Sequence, residues 1–219
     1  MIKGIPVSSG VARGTAYVLA CTNPPAAPRR ILEADEVEGE FARFEAALDR
    51  AERDLLALQE TVRERIGARE AEIFGAQAVL VQDPIFKKQI TALVRDKRVN
   101  IEAALTEVIE RFTRAFDEIP DAYLRERAVD VRDVGRRVLA ALIDERPPLE
   151  SLDIPADAII VADELLPSVT ARLEVGRARG FVTERGGKFS HTSILARSLG
   201  MPRWLASLTP QISGNARAS

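Results

Sequence analysis

Gly180-Phe181-Val182-Thr183-Glu184-Arg185-Gly186-Gly187-Lys188-Phe189-Ser190-His191-Thr192-Ser193-Ile194-Leu195-Ala196-Arg197-Ser198-Leu199-Gly200 reads as a strand, a glycine turn and a helix in succession. Strand, turn and helix in that order form the repeating unit of an α/β domain. Working upstream, Ala158-Ile159-Ile160-Val161-Ala162 is a short apolar run of the buried-strand type. Pro167 to Arg177 reads as a helix with proline near its first turn. The first twenty residues also read as β, with Ile5, Val7, Val11, Ala16, Tyr17 and Val18 set among Gly4, Ser8, Ser9, Gly10 and Gly14. That N-terminal segment has no other sheet to join, so it is expected to pair with the strands after residue 155.

The intervening sequence has a different texture. From about Glu33 to Arg146 apolar residues recur at three- and four-residue steps. Phe41, Phe44, Leu48, Ala51, Leu55, Leu58 and Val62 mark one helix, and Ala68 to Gln82 a second, stopped by Asp83-Pro84. Ile85 to Asp96 resumes a helix. Ile101, Leu105, Val108, Phe112 and Phe116 mark the next, and Leu124, Val131, Val134, Val138 and Leu142 the last. These stripes are read as bundle core. Proline-rich breaks, Pro24-Pro25-Ala26-Ala27-Pro28 and Pro147-Pro148, flank the block. The expected fold is an α/β domain built from residues 1–30 and 147–202, with an all-α helical bundle inserted over 31–146.

Composition narrows the function classes. With 31 basic and 33 acidic residues the chain carries no nucleic-acid footprint. Cys21 is alone, so no intrachain disulfide forms. No apolar run approaches the ~18 residues of a membrane span, and the N-terminus lacks the apolar core of a signal peptide. A cytoplasmic location with no membrane insertion is expected.

His191 is the only histidine in the chain. It follows a double glycine and opens a helix, and a helix start offers unpaired N–H groups to a bulky anion. A phosphoryl acceptor needs a neutral imidazole nitrogen, which a helix N-terminus favours over the imidazolium. Ser190 is a good N-cap type, placing His191 at the first helical position. Lys188 and Arg197 are cations near enough in sequence to meet phosphate oxygens. Blander readings stay open: a lone histidine is commonly structural, and Gly186-Gly187 can be a simple turn. Zinc fits poorly with one His and one Cys. A Ser190 hydrolase lacks the Gly-x-Ser-x-Gly elbow.

The run around His191 resembles the active-site signature of enzyme I of the bacterial phosphoenolpyruvate:sugar phosphotransferase system. Three further segments resemble the same family in collinear order: Gly4-Ile5-Pro6-Val7-Ser8-Ser9-Gly10-Val11-Ala12, Glu72-Ile73-Phe74 through Leu80-Val81-Gln82-Asp83-Pro84, and Asp121 to Arg137 with its Tyr123-Leu124-Arg125-Glu126-Arg127 core. Swivelling phosphohistidine domains of pyruvate phosphate dikinase and phosphoenolpyruvate synthase share the Gly-Gly turn but lack that insertion. They stand as the alternative, together with a non-catalytic carrier-binding fragment.

The resemblance implies that His191 receives phosphate from phosphoenolpyruvate on Nε2 and passes it to the carrier protein HPr. It implies Thr170, in Pro167-Ser168-Val169-Thr170-Ala171, as the group that orients the ring. It assigns HPr docking to Ile73, Gln77, Val79, Leu80 and Arg127. Phosphoenolpyruvate, Mg²⁺ and dimerisation are implied for a C-terminal half of the full-length family, so no cofactor or metal is expected in this chain. After Met201-Pro202 the family continues with Ala-Leu-Val-Gly or a close variant, whereas here Arg203-Trp204-Leu205-Ala206 follows. Residues 203–219 are therefore expected to be an atypical, poorly packed tail, consistent with a shifted reading frame.

Overall fold

A computed structural model of the chain describes residues 4–19, 28–121, 127–143, 154–155, 157–172, 178–185 and 191–206. Contacts divide the chain into two compact units, Met1–Thr22 with Leu152–Ser219, and Asn23–Ser151.

The second unit is helical. It contains α1 (Val37–Arg65), α2 (Ala68–Val81), α3 (Pro84–Lys97), α4 (Ile101–Asp117) and α5 (Arg127–Leu142). α1 packs on α2 and α5, and α4 packs on α3 and α5. The apolar stripe of α1 is buried from Phe44 to Val62 as its spacing predicts. Asp83-Pro84, read as a stop for α2, also starts α3. The Asp83 carboxylate accepts from Ile85 N at 2.8 Å and Phe86 N at 2.9 Å, with proline at the first helical positions.

A buried carboxylate starts α4. Asn100 precedes this helix but does not cap it with its own side chain. Glu40 of α1, only 3% exposed, accepts from Ile101 N at 2.7 Å instead. Asn100, itself buried, accepts from Arg30 N at 2.9 Å and donates to Glu102 Oε2 at 2.8 Å. Arg43 bridges Glu40 and Glu102. Burial opposes its charged form, but the hydrogen bonds to those carboxylates outweigh it and raise its pKa. This network fastens the beginning of α1 to the beginning of α4.

The other unit is a five-stranded sheet with two described helices. Its elements are β1 (Gly4–Ser8), β2 (Thr15–Val18), β3 (Ala158–Ala162), α6 (Pro167–Arg172), β4 (Ala178–Thr183), α7 (His191–Ser198) and β5 (Arg203–Ala206). The strand order is β1-β5-β4-β3-β2. Strands β2 to β5 run parallel, and β1 is antiparallel to β5. The N-terminal segment thus pairs with the late strands, as expected. Pro6 is tolerated because β1 is an edge strand. Gly14 admits no side chain, since a Cβ there would lie 1.8 Å from Asp157 O. Gly200, at φ 64°, closes α7, with Met201 N donating to Ala196 O at 2.8 Å.

The structure corrects the expectation for residues 203–206. They form β5, between β1 and β4, rather than a poorly packed tail. Strand pairing is made by backbone groups, so unfamiliar side chains did not prevent it. The rest of the tail, 207–219, lies outside the described residues. Phe41, Phe112, Phe116 and Leu142 are a second correction: all four are half-buried rather than core. Among the described residues no helix is long and apolar enough to cross a membrane.

Replacing Glu40 with Ala is expected to destabilise the helical unit by about 2–3 kcal/mol, because it strips the buried Ile101 N–H of its acceptor. Glu40→Gln should cost less. Urea denaturation followed by circular dichroism checks both.

Candidate functional site

Parallel pairing of β3 with β4 sets the geometry of the α/β unit. In open α/β sheets the carboxyl ends of adjacent strands share one edge, where functional loops collect. β3 leads into α6, which carries Thr170, and β4 leads toward α7, whose described part begins at His191. The two helices pack against each other. Two segments that are separate in sequence therefore meet.

Thr170 is fully buried, and its hydroxyl donates to Leu166 O at 3.1 Å. With its proton committed there, the oxygen can only accept from any other partner. Arg197 lies in the last turn of α7, where a cation complements the helix dipole. It is separated from His191 by about 9 Å of helix rise. Gly186, Gly187, Lys188 and Ser190 lie outside the described residues, as does the His191 side chain.

Beneath α7, Arg203 of β5 is 1% exposed. Its guanidinium donates through Nη1 to Ser193 Oγ and through Nη2 to Thr183 Oγ1, the latter at 3.1 Å. Both acceptor residues are buried. Sequence reading missed this group, because an arginine after Met201-Pro202 looks like departure from a pattern rather than a core residue.

The helical unit contains a cavity of about 400 Å³. Ile73, Gln77 and Leu80 of α2 and Arg127 of α5 all line it, so four of the five expected docking residues share one surface. Val79 does not line it and is 74% exposed. Phe112 and Phe116 of α4 contribute to the wall, together with Ile85. Their spacing continues the core stripe of α4, so periodicity alone could not separate wall from core. Gln77 is buried and donates to Asp133 Oδ2 at 3.4 Å, while its Oε1 has no partner among the described residues. Arg127 pairs with Asp130 at 3.2 Å. Leu124, expected on the last helix stripe, lies outside the described residues.

Comparison with known proteins agrees with this architecture. Residues 3–127 match the family described as PEP-utilising enzyme, N-terminal, and residues 154–203 match PEP-utilising enzyme, mobile domain. The chain is 39% identical over 201 residues to the phosphoenolpyruvate-protein phosphotransferase of Bacillus sp. (strain S), covering 92% of this chain and 34% of the relative. It is also 39% identical over 203 residues to the one from Lactococcus lactis subsp. lactis, covering 92% and 35%. The chain thus spans about a third of the length of these curated relatives.

Two solved structures are similar. The NMR solution structure of Enzyme I (nEIt) matches with TM-score 0.69 and 33% identity, covering 93% of this chain and 81% of that one. The N-terminal domain of Enzyme 1 – Nitrogen matches with TM-score 0.60 and 29% identity, covering 94% and 83%. The chain belongs to the PEP-utilising enzyme family and, within it, corresponds to the N-terminal part of enzyme I.

A cavity wall and a core respond differently to truncation. Phe74→Ala, at a fully buried position, is expected to destabilise by about 3–5 kcal/mol. Phe112→Ala should cost less than about half of that, since its ring already faces a cavity. Paired denaturation curves check the difference.

Proposed function

We propose that this member of the enzyme I family carries a phosphoryl group on His191 and exchanges it with the carrier protein HPr. The carrying observation is the juxtaposition of α6 and α7 at neighbouring parallel strand ends. The Thr170 hydroxyl, spent as a donor on Leu166 O, suits a ring N–H donor. An Nδ1–H held this way leaves the lone pair on Nε2, which makes Nε2 the nucleophile. In the transfer, Nε2 attacks phosphorus. An N–P bond forms on His191 as the N–P bond of the carrier's phosphohistidine breaks, and the carrier imidazole leaves with its electron pair. The helix start and Lys188 offset charge on the transferring oxygens.

The cavity of the helical unit is the proposed HPr-docking surface, through Ile73, Gln77, Leu80 and Arg127. Val79 would contact the carrier only from outside the cavity. Among the described residues no three His, Cys, Asp or Glu side chains cluster to hold a metal. Any Mg²⁺ requirement is proposed to lie with the phosphoenolpyruvate step. Phosphoenolpyruvate chemistry is assigned to the part of the relatives that this chain does not match. The cytoplasm, where sugar phosphotransfer consumes phosphoenolpyruvate, is the proposed location.

Incubation with phosphorylated HPr tests the reading. The chain should gain one acid-labile phosphoryl group, and His191→Ala should abolish it; a label surviving that substitution would refute the assignment. Thr170→Val should slow exchange about fivefold to tenfold, the equivalent of one hydrogen bond worth ~1 kcal/mol, with the fold intact by circular dichroism.

Docking is tested separately. Leu80→Asp should weaken HPr binding at least tenfold by calorimetry, because it sets a poorly solvated charge in an apolar contact. Native affinity in that variant would move docking elsewhere.

A further inference from the structure

We propose that Arg203 is a positioning residue for His191, acting as a buried clamp across the two ends of the segment that carries it. Thr183 ends β4, and Ser193 lies in the first turn of α7. Between them in sequence run the double glycine and His191. One guanidinium joins residues on both sides of that run. It donates to Ser193 Oγ on the helix side and to Thr183 Oγ1, at 3.1 Å, on the strand side.

Burial makes the contact consequential. Arg203 is 1% exposed, and Thr183 and Ser193 are fully buried. A buried guanidinium is tolerated only where its donors are met. The planar fork of arginine reaches two acceptors at fixed angles, which a lysine ammonium on its flexible stem does not reproduce. Position 203 is itself fixed by register, opposite Phe181 of β4 and Ser8 of β1. Arg203 is therefore held at the start of β5, between β1 and β4. A small residue at 203 would offer neither donor.

The clamp rests on His191 as phosphoryl acceptor, and two independent readouts separate the two ideas. In the first, phosphoryl exchange with phosphorylated HPr is measured for the full chain, Arg203→Met, Arg203→Lys, Ser193→Ala and the Arg203→Met/Ser193→Ala double variant. Arg203→Met should lower kcat about tenfold or more, with KM for phosphorylated HPr unchanged, because docking uses the other unit. Lysine should restore part of the rate. The double variant should be no slower than Arg203→Met alone, because both remove the same contact. Unchanged kcat in Arg203→Met, or strictly multiplicative losses in the double variant, overturns the clamp.

In the second readout, amide hydrogen exchange of residues 193–198 needs no phosphoryl donor. Protection there should fall about tenfold in Arg203→Met, while α1 to α5 keep theirs. If the wild-type chain takes no phosphoryl group but this loss of protection appears, the clamp stands and the phosphoryl reading falls. Unchanged protection overturns the clamp whatever the phosphoryl result. If Arg203→Met unfolds the α/β unit, Ser193→Ala and Thr183→Val decide by the same measurements, since they keep the arginine stem in place.

Discussion

The parallel ladder β3–β4–β5 is the constraint on which the α/β unit depends. Parallel strands put their carboxyl ends on one edge of the sheet, and each of the first two leads toward a helix. β3, β4 and β5 follow one another across the sheet, so the right-handed connection that such crossovers take puts α6 and α7 on the same face, where they pack together. The meeting of Thr170's helix with His191's helix follows from strand order and crossover hand. Side chains then refine the arrangement: Thr170 turns its proton to Leu166 O, and Arg203 turns its guanidinium under α7.

The helical unit is organised on another principle. Its amphipathic stripes bury one face each, but α2, α4 and α5 do not close completely against one another, and a cavity remains among them. At that cavity Arg127 pairs with Asp130 and Gln77 donates to Asp133. Away from the cavity, the Glu40, Arg43 and Glu102 network joins the starts of α1 and α4.

Much of this was legible in the sequence, for definable reasons. Three- and four-residue spacing located α1 to α4 to within a few residues, and Asp83-Pro84 marked their middle boundary. The strand, turn and helix around Gly186 announced α/β architecture, and the orphan N-terminal β segment required a discontinuous unit. What escaped reading was long-range. Glu40 as the cap of α4 joins residues 40 and 101, and no local pattern signals it. Phe112 and Phe116 have core spacing, but their depth depends on how far α5 stands from α4. Arg203 looked foreign because its acceptors, Thr183 and Ser193, are recognisable only once β4, α7 and β5 are folded together.

The position of β5 has a consequence for biogenesis. Ile5 of β1 pairs opposite Leu205, so the residues through Leu205 must leave the ribosome before the first strand finds its neighbour. Until then β1 has no described strand to pair with, and the edge of β4 that will receive β5 is bare. The helical insertion contains its own core and can fold while the chain is still growing. Its collapse replaces a long flexible loop by a short effective one and lowers the entropy of joining β2 to β3. Vectorial synthesis thus puts the locally connected unit first and leaves the non-local sheet to form later, when Arg203 emerges with the strand that pairs with β1 and β4.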